Sequence, residues 1–142
     1  MKELKTHIIT LCDYAVISRD GKLSINGIFE ELRAVNFPTG LARAFLVTTV
    51  EGSPSSTYSL QVKMESDNKS IKTDGILKPI NLNVQTGPNG KTNLVLELVN
   101  VGFPEEGEYL FKVYNQEKHL STATLKVMQQ DKDTKPNFLR PN

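Results

Sequence analysis

Between Tyr58 and Glu65, apolar Tyr58, Leu60, Val62 and Met64 alternate strictly with polar Ser59, Gln61, Lys63 and Glu65. A period of two marks a strand buried on one face, because successive side chains leave a pleated backbone on opposite sides. The alternation returns at Ile80, Leu82 and Val84 around Asn81 and Asn83, and at Leu94, Leu96 and Leu98 around Val95, Glu97 and Val99. Pro79 makes the former an edge or connecting strand. The latter, entered through the turn Gly87-Pro88-Asn89-Gly90, reads as a buried central strand. No segment carries a long apolar stripe at 3.6-residue spacing, so helices are expected to be short or absent.

Other strands follow from composition and punctuation. Phe45 to Val50 is strand-like after a break at Pro38-Thr39-Gly40, and Asp67-Asn68-Lys69 turns into a short edge or connecting stretch from Ile71 to Leu77. A late hairpin sets Tyr109, Phe111 and Val113 on one face and returns through Ser121 to Val127. About eight strands at this spacing predict an all-β fold, a two-sheet antiparallel sandwich. A chain of 142 residues supports one such core without disulfide or metal. The domain is expected over residues 1–128. From 129 to 142 the sequence is polar, proline-containing and aperiodic, the composition of a disordered tail.

Asp20-Gly21 suits a two-residue hairpin turn between the first two strands. Such a turn places Val16 opposite Ile25, Tyr14 opposite Gly27 and Cys12 opposite Phe29. Cys12, Tyr14, Val16, Leu23, Ile25 and Phe29 then form a core face, with the Tyr14 ring over Gly27. The other face carries Leu11, Asp13, Ala15, Ile17, Ser24, Asn26, Ile28 and Glu30, a mixture of apolar and polar groups.

Composition excludes several classes. Lys plus Arg at 17 nearly balances Asp plus Glu at 16, and tryptophan is absent, so nothing points to nucleic acid. A single cysteine permits neither an internal disulfide nor paired-cysteine zinc spacing, and suits a reducing compartment. The N-terminus lacks a signal-peptide pattern and no apolar run approaches about 20 residues, so a cytoplasmic protein without a membrane partner is expected.

The run Glu105-x-Gly107-x-Tyr109-x-Phe111 resembles the opening of the sixth strand of immunoglobulin-like domains, with a corner tyrosine ahead of a core residue. Phe111 stands where antibody domains carry a cysteine. The resemblance therefore implies an immunoglobulin-like sandwich rather than an antibody-type domain, with the Tyr109 hydroxyl tying down the preceding turn. Leu11 to Ala15 (Leu-Cys-Asp-Tyr-Ala), Gly21 to Phe29 (Gly-Lys-Leu-Ser-Ile-x-Gly-Ile-Phe) and Phe103 to Tyr109 (Phe-Pro-x-x-Gly-Glu-Tyr) also resemble recurring features of a family of small, uncharacterised bacterial proteins. That resemblance supports the fold and implies no activity.

Candidate sites are few. An acid in mid-strand must be solvated, hydrogen-bonded or paired, so Asp13 is either a contact group or a held surface acid. Cys12, on the core face and away from cationic neighbours in sequence, reads as a structural thiol; His7 and His119, near strand starts, offer it no base. Asp67, Asn68 and Asp74 lack the calcium-loop pattern, and Gly87 to Gly90 lacks the Gly-Lys-Ser/Thr of a phosphate loop. No catalytic, cofactor or metal site is assigned. Leu11, Ala15, Ile17 and Ile28, rimmed by Asp13, Asn26 and Glu30, have the composition of a partner-binding patch; alternatively, the segment Phe37 to Ala44 covers them. Phe138 and Leu139 are apolar residues in a polar tail, as in short recognition segments or in a terminus without a role.

The leading expectation is a non-enzymatic protein-interaction module, with an unknown protein partner or self-association. The competing expectation is a domain binding a small carbohydrate or metabolite. It calls for a cleft that combines Asp13 or the Asp67 to Asp74 segment with an exposed tyrosine.

Overall fold

The computed structural model describes residues 1–131 and contains nine strands. They are β1 (Lys5–Ile17), β2 (Leu23–Phe29), β3 (Glu31–Ala34), β4 (Thr39–Glu51), β5 (Thr57–Ser66), β6 (Ile80–Gln85), β7 (Lys91–Phe103), β8 (Gly107–Asn115) and β9 (Lys118–Gln129). One sheet runs β2-β1-β4-β7, the other β3-β9-β8-β5-β6. The all-β, two-sheet expectation holds. Purely antiparallel pairing does not: β3 lies parallel to β9, with Glu31 opposite Lys126 and Ala34 opposite Gln129. The chain crosses between sheets at Glu30, whose carbonyl accepts from Lys126 N at 2.9 Å. Four residues, Glu-Leu-Arg-Ala, are too few to display a period, which is why β3 was not expected.

Alternation builds the core between the sheets. Tyr58, Leu60, Val62 and Met64 of β5, Phe111 and Val113 of β8 and Leu125 and Val127 of β9 face Leu11, Leu46, Val50, Leu94 and Leu98 of the other sheet. Each large buried side chain contributes on the order of 1.5–3 kcal/mol. The Tyr109 hydroxyl donates to the Glu105 carbonyl at 2.6 Å, tying down the turn before β8, and its ring packs on Phe103 at 4.6 Å. The stretch expected as a strand from Ile71 to Leu77 is instead a connector with a 3-10 turn at Thr73–Gly75; Ile71, Ile76 and Leu77 cap the core.

Strand β7 corrects a second expectation. Its leucines are core residues, but it pairs with β4 alone and forms an edge, whereas its composition suggested a central strand. Strand β6 is the edge that Pro79 indicated.

The first hairpin differs in register. Leu11 faces Phe29, Cys12 faces Ile28, Tyr14 faces Asn26, Ala15 faces Ile25 and Val16 faces Ser24, one residue from expectation. The connection has three residues, Arg19-Asp20-Gly21, closed by Ser18 N to Lys22 O and Gly21 N to Ser18 O, both 2.9 Å. Only Gly21 has positive φ, +85°, whereas a two-residue type I′ turn needs positive φ at both central positions. Asp20 accepts from the Ser18 hydroxyl instead, favouring the longer loop. One residue of slip changes which side chains of β2 stand beside each side chain of β1; of the expected core face, Tyr14 and Val16 are exposed, whereas Cys12 is buried and Leu23, Ile25 and Phe29 are half-buried.

Candidate interaction surface

On β4, Leu46 and Val50 face the main core, while Phe45 and Val47 belong to a second buried cluster; on β7, Leu94 and Leu98 divide from Val95 in the same way. Alternation therefore places the second cluster on the outer face of the four-stranded sheet. Cys12, Ala15, Phe45 and Val47 form it, and Leu23, Ile25 and Val95 flank it. Cys12 and Ala15, three apart, share this cluster although a regular strand would send them to opposite faces. The break lies at Asp13 and Gly27. Gly27 has φ +70°, and a Cβ there would collide with the Asp13 carboxylate. The end of the β1–β2 hairpin thus covers part of the sheet's back.

The expected patch is divided by this arrangement. Leu11 is buried in the main core and Ala15 in the second cluster, so neither is available to a partner. Asp13 and Asn26 are exposed, as are Ile17 at 44% and Ile28 at 61%. The segment 37–44 does not cover them, because from Thr39 onward it is part of β4 and pairs with β7. Phe138 and Leu139 lie outside the described residues.

The exposed surface surrounds Phe45, itself buried in the second cluster. The Tyr14 ring meets it edge-on at 5.7 Å and the Arg43 guanidinium lies over it at 5.2 Å. Arg43 Nε also donates to Glu97 Oε2 at 2.6 Å. Across the pairing, Cys12 links Phe45 to Ile28, and Arg43 stands opposite Val99, which is 56% exposed. Sequence reasoning missed Tyr14, Arg43, Phe45, Glu97 and Val99. The available signal was the run Ala44-Phe45-Leu46-Val47, apolar on both faces of one strand.

The outer face of the five-stranded sheet is polar. Gln61 Nε2 donates to Asn81 Oδ1 at 2.9 Å and Ser59 Oγ to Asn83 Oδ1 at 3.0 Å. Glu65 accepts from the Tyr114 hydroxyl at 3.0 Å and Lys112 Nζ at 3.3 Å. Burial pushes the Glu65 pKa up, but these two donors and the Lys112 charge outweigh it and hold the carboxyl below its ordinary value. Burial, then the bond to Glu65, push the Tyr114 phenol up. Beside this network a cleft of about 340 Å³ is lined by Lys63, Glu65, Thr73, Asp74 and Leu77. A larger one, about 410 Å³, lies between β1 and β9 beneath Phe29, Glu30 and Glu31. Neither has Asp13 or a tyrosine in its lining.

The remaining candidates have local partners. Cys12 is fully buried, its thiol directed at the Phe45 carbonyl at 3.8 Å, and burial raises its pKa. His7 Nε2 contacts Glu51 at 2.8 Å, and His119 Nε2 contacts Thr122 Oγ1 at 2.7 Å. Asp67 accepts from Glu108 N at 3.0 Å and Asn68 from Ser70 N at 3.0 Å, so both serve turns. Among the described residues no group of three or more His, Cys, Asp or Glu side chains gathers as a metal site, and no helix is long and apolar enough to cross a membrane.

Residues 7–128 match the sequence model of DUF6941, described as a family of unknown function. The chain belongs to DUF6941. No curated protein matches this DUF6941 member. Among solved structures it is similar to the Pseudomonas fluorescens alkylpurine DNA glycosylase AlkC bound to DNA containing an abasic site analog, with TM-score 0.55 and 10% identity over 89% of this chain and 31% of that one. It is also similar to a Bifidobacterium adolescentis GH3 beta-glucosidase, with TM-score 0.52 and 11% identity over 94% of this chain and 19% of that one. A Listeria innocua beta-glucosidase gives TM-score 0.51 and 14% identity over 92% and 16%. The DUF6941 chain thus spans about a third or less of these proteins, and at such identities the likeness concerns the fold alone.

Proposed function

We propose that this DUF6941 protein is a non-enzymatic interaction module, an immunoglobulin-like sandwich that binds a protein partner through the outer face of its four-stranded sheet. One observation carries the reading. Ile28, Val99 and Tyr14 are exposed around Phe45, with the Arg43–Glu97 ion pair among them. Apolar and aromatic groups with a polar rim and an arginine stacked on a ring have the composition of a protein interface. The hydrogen bond from Tyr109 to Glu105 supports the immunoglobulin-like assignment, since it fastens the turn before β8 as a corner tyrosine does. The partner expected is a protein with an apolar surface and a complementary charged rim.

Native mass spectrometry of the chain, purified gently from its own host beside Ile28→Glu, tests this. An associated protein present with the native chain and missing with Ile28→Glu is the expected result; an association indifferent to Ile28→Glu contradicts it. A second reading, binding of a small polar metabolite, rests on Asp74 in the cleft beside the Tyr114–Glu65–Lys112 network. A small non-covalent mass retained by the native chain and lost with Asp74→Ala would favour it.

A further inference from the structure

Strand β7 is composed like a strand from the middle of a sheet and sits at an edge. The other edges are protected in familiar ways. Strand β2 has seven residues interrupted by Gly27 at φ +70°, β3 has four, and β6 has six and follows Pro79. Strand β7 has thirteen residues, and from Lys91 to Val99 it follows β4 without a proline or a break in register. Glu97 is the one charge within the run and Lys91 begins it. Among the described residues nothing pairs with its outer side.

We infer that β7 pairs antiparallel with β7 of a second copy of this chain, joining the two four-stranded sheets across a two-fold axis at Leu94. This edge borders the outer face invoked above and shares Glu97 with it. A symmetric interface pairs each residue with its mirror position, and core-facing residues must meet core-facing residues for the sheet to continue. An axis at Glu97 sets two carboxylates face to face, which is destabilising. An axis at Leu96 sets Glu97 against Val95, and one at Val95 sets it against Asn93. With the axis at Leu94, each Glu97 meets Lys91 of the other copy, Leu94 meets Leu94 and Asn93 meets Val95. That register alone sets Glu97, which is bonded to Arg43 of its own chain, against an opposite charge of the other copy, and does so twice.

Sedimentation of the full chain tests the inference, with each variant's fold checked by its thermal melt. The native chain is expected as a dimer, weakened about tenfold or more by Lys91→Glu, which turns two cross-strand attractions into repulsions. The swap Lys91→Glu with Glu97→Lys restores association; within each chain it sets an acid opposite Glu51 and an ammonium beside Arg43, exposed repulsions whose cost the thermal melt reads separately. Leu94→Cys oxidises to a linked dimer without background, because the native Cys12 is buried. A chain that stays monomeric up to about 1 mM, in the weakest range of measurable affinity, overturns the inference. So does a dimer indifferent to Lys91→Glu and dissociated by Ile28→Glu, which would put the second copy on the outer face.

Discussion

Along β5, β6 and β8 the outward side chains hydrogen-bond to one another, Gln61 with Asn81, Ser59 with Asn83 and Tyr114 with Glu65, whereas along β4 and β7 the outward Phe45, Val47 and Val95 are apolar and depend on the β1–β2 hairpin for cover. The first face is finished by its own sheet, with polar groups that can also meet water. The second is finished only in part, because the hairpin covers Val47 and leaves Ile28 and Val99 exposed. The interaction reading rests on this difference. Satisfied polar surface has little to gain from a partner, and exposed apolar surface has about 25 cal/mol for each Å² that a partner removes from water.

The largest expected effect breaks the second face. Phe45→Ala removes the ring shared by Tyr14 and Arg43 and should cost about 3 kcal/mol in urea unfolding, whereas Tyr114→Phe on the polar face should cost about 1 kcal/mol. Equal costs would mean that the hairpin does not seal a cluster. Next, Gly27→Ala should cost about 1–3 kcal/mol through its left-handed φ and its collision with the Asp13 carboxylate. Adding Asp13→Ala should recover the collision and leave the backbone strain, which thermal melts of the single and double variants would separate.

Two smaller effects sharpen the comparison. The Thr48 hydroxyl is buried on the inner side of the four-stranded sheet with no hydrogen-bond partner among the described residues, so Thr48→Val should stabilise by about 1 kcal/mol. On the polar face, Glu65 has a folded pKa below its ordinary value. Its contribution is present above the unfolded pKa and is lost as pH falls through the folded one. Glu65 is partly exposed, and screening keeps the effect under about 1 kcal/mol. Glu65→Gln should lower stability by under about 1 kcal/mol at neutral pH and converge with the native chain below the folded pKa, flattening that acid limb of the stability curve.

Residues whose role is local were legible in the sequence. The alternation from Tyr58 to Glu65 gave β5 and its inward face, Pro79 marked an edge, and the Tyr109 hydroxyl bonds to its own turn. Residues whose role depends on distant pairing were not. Whether Asp20-Gly21 made a two- or three-residue loop was settled by Ser18 and decided which residues of β1 and β2 stand opposite one another. The break at Asp13 and Gly27 then sent Leu11 and Ala15 into different clusters, so a patch drawn from regular alternation retained Asp13, Ile17, Asn26 and Ile28 and lost its centre. Arg43 and Val99, exposed beside the buried Phe45, replace it from β4 and β7, strands remote in sequence from β1. The leucines of β7 reported burial, which an edge strand also achieves once the opposite sheet covers its inner face.

The claim that the unfinished face is the binding face is tested most directly by retrieving the tagged full chain from its native cells beside Ile28→Glu and, on the polar face, Asn81→Glu, and quantifying the bound proteins. Both positions are exposed, so both variants should fold. The account requires a bound set that survives Asn81→Glu and disappears with Ile28→Glu. A set that survives Ile28→Glu and disappears with Asn81→Glu would contradict it.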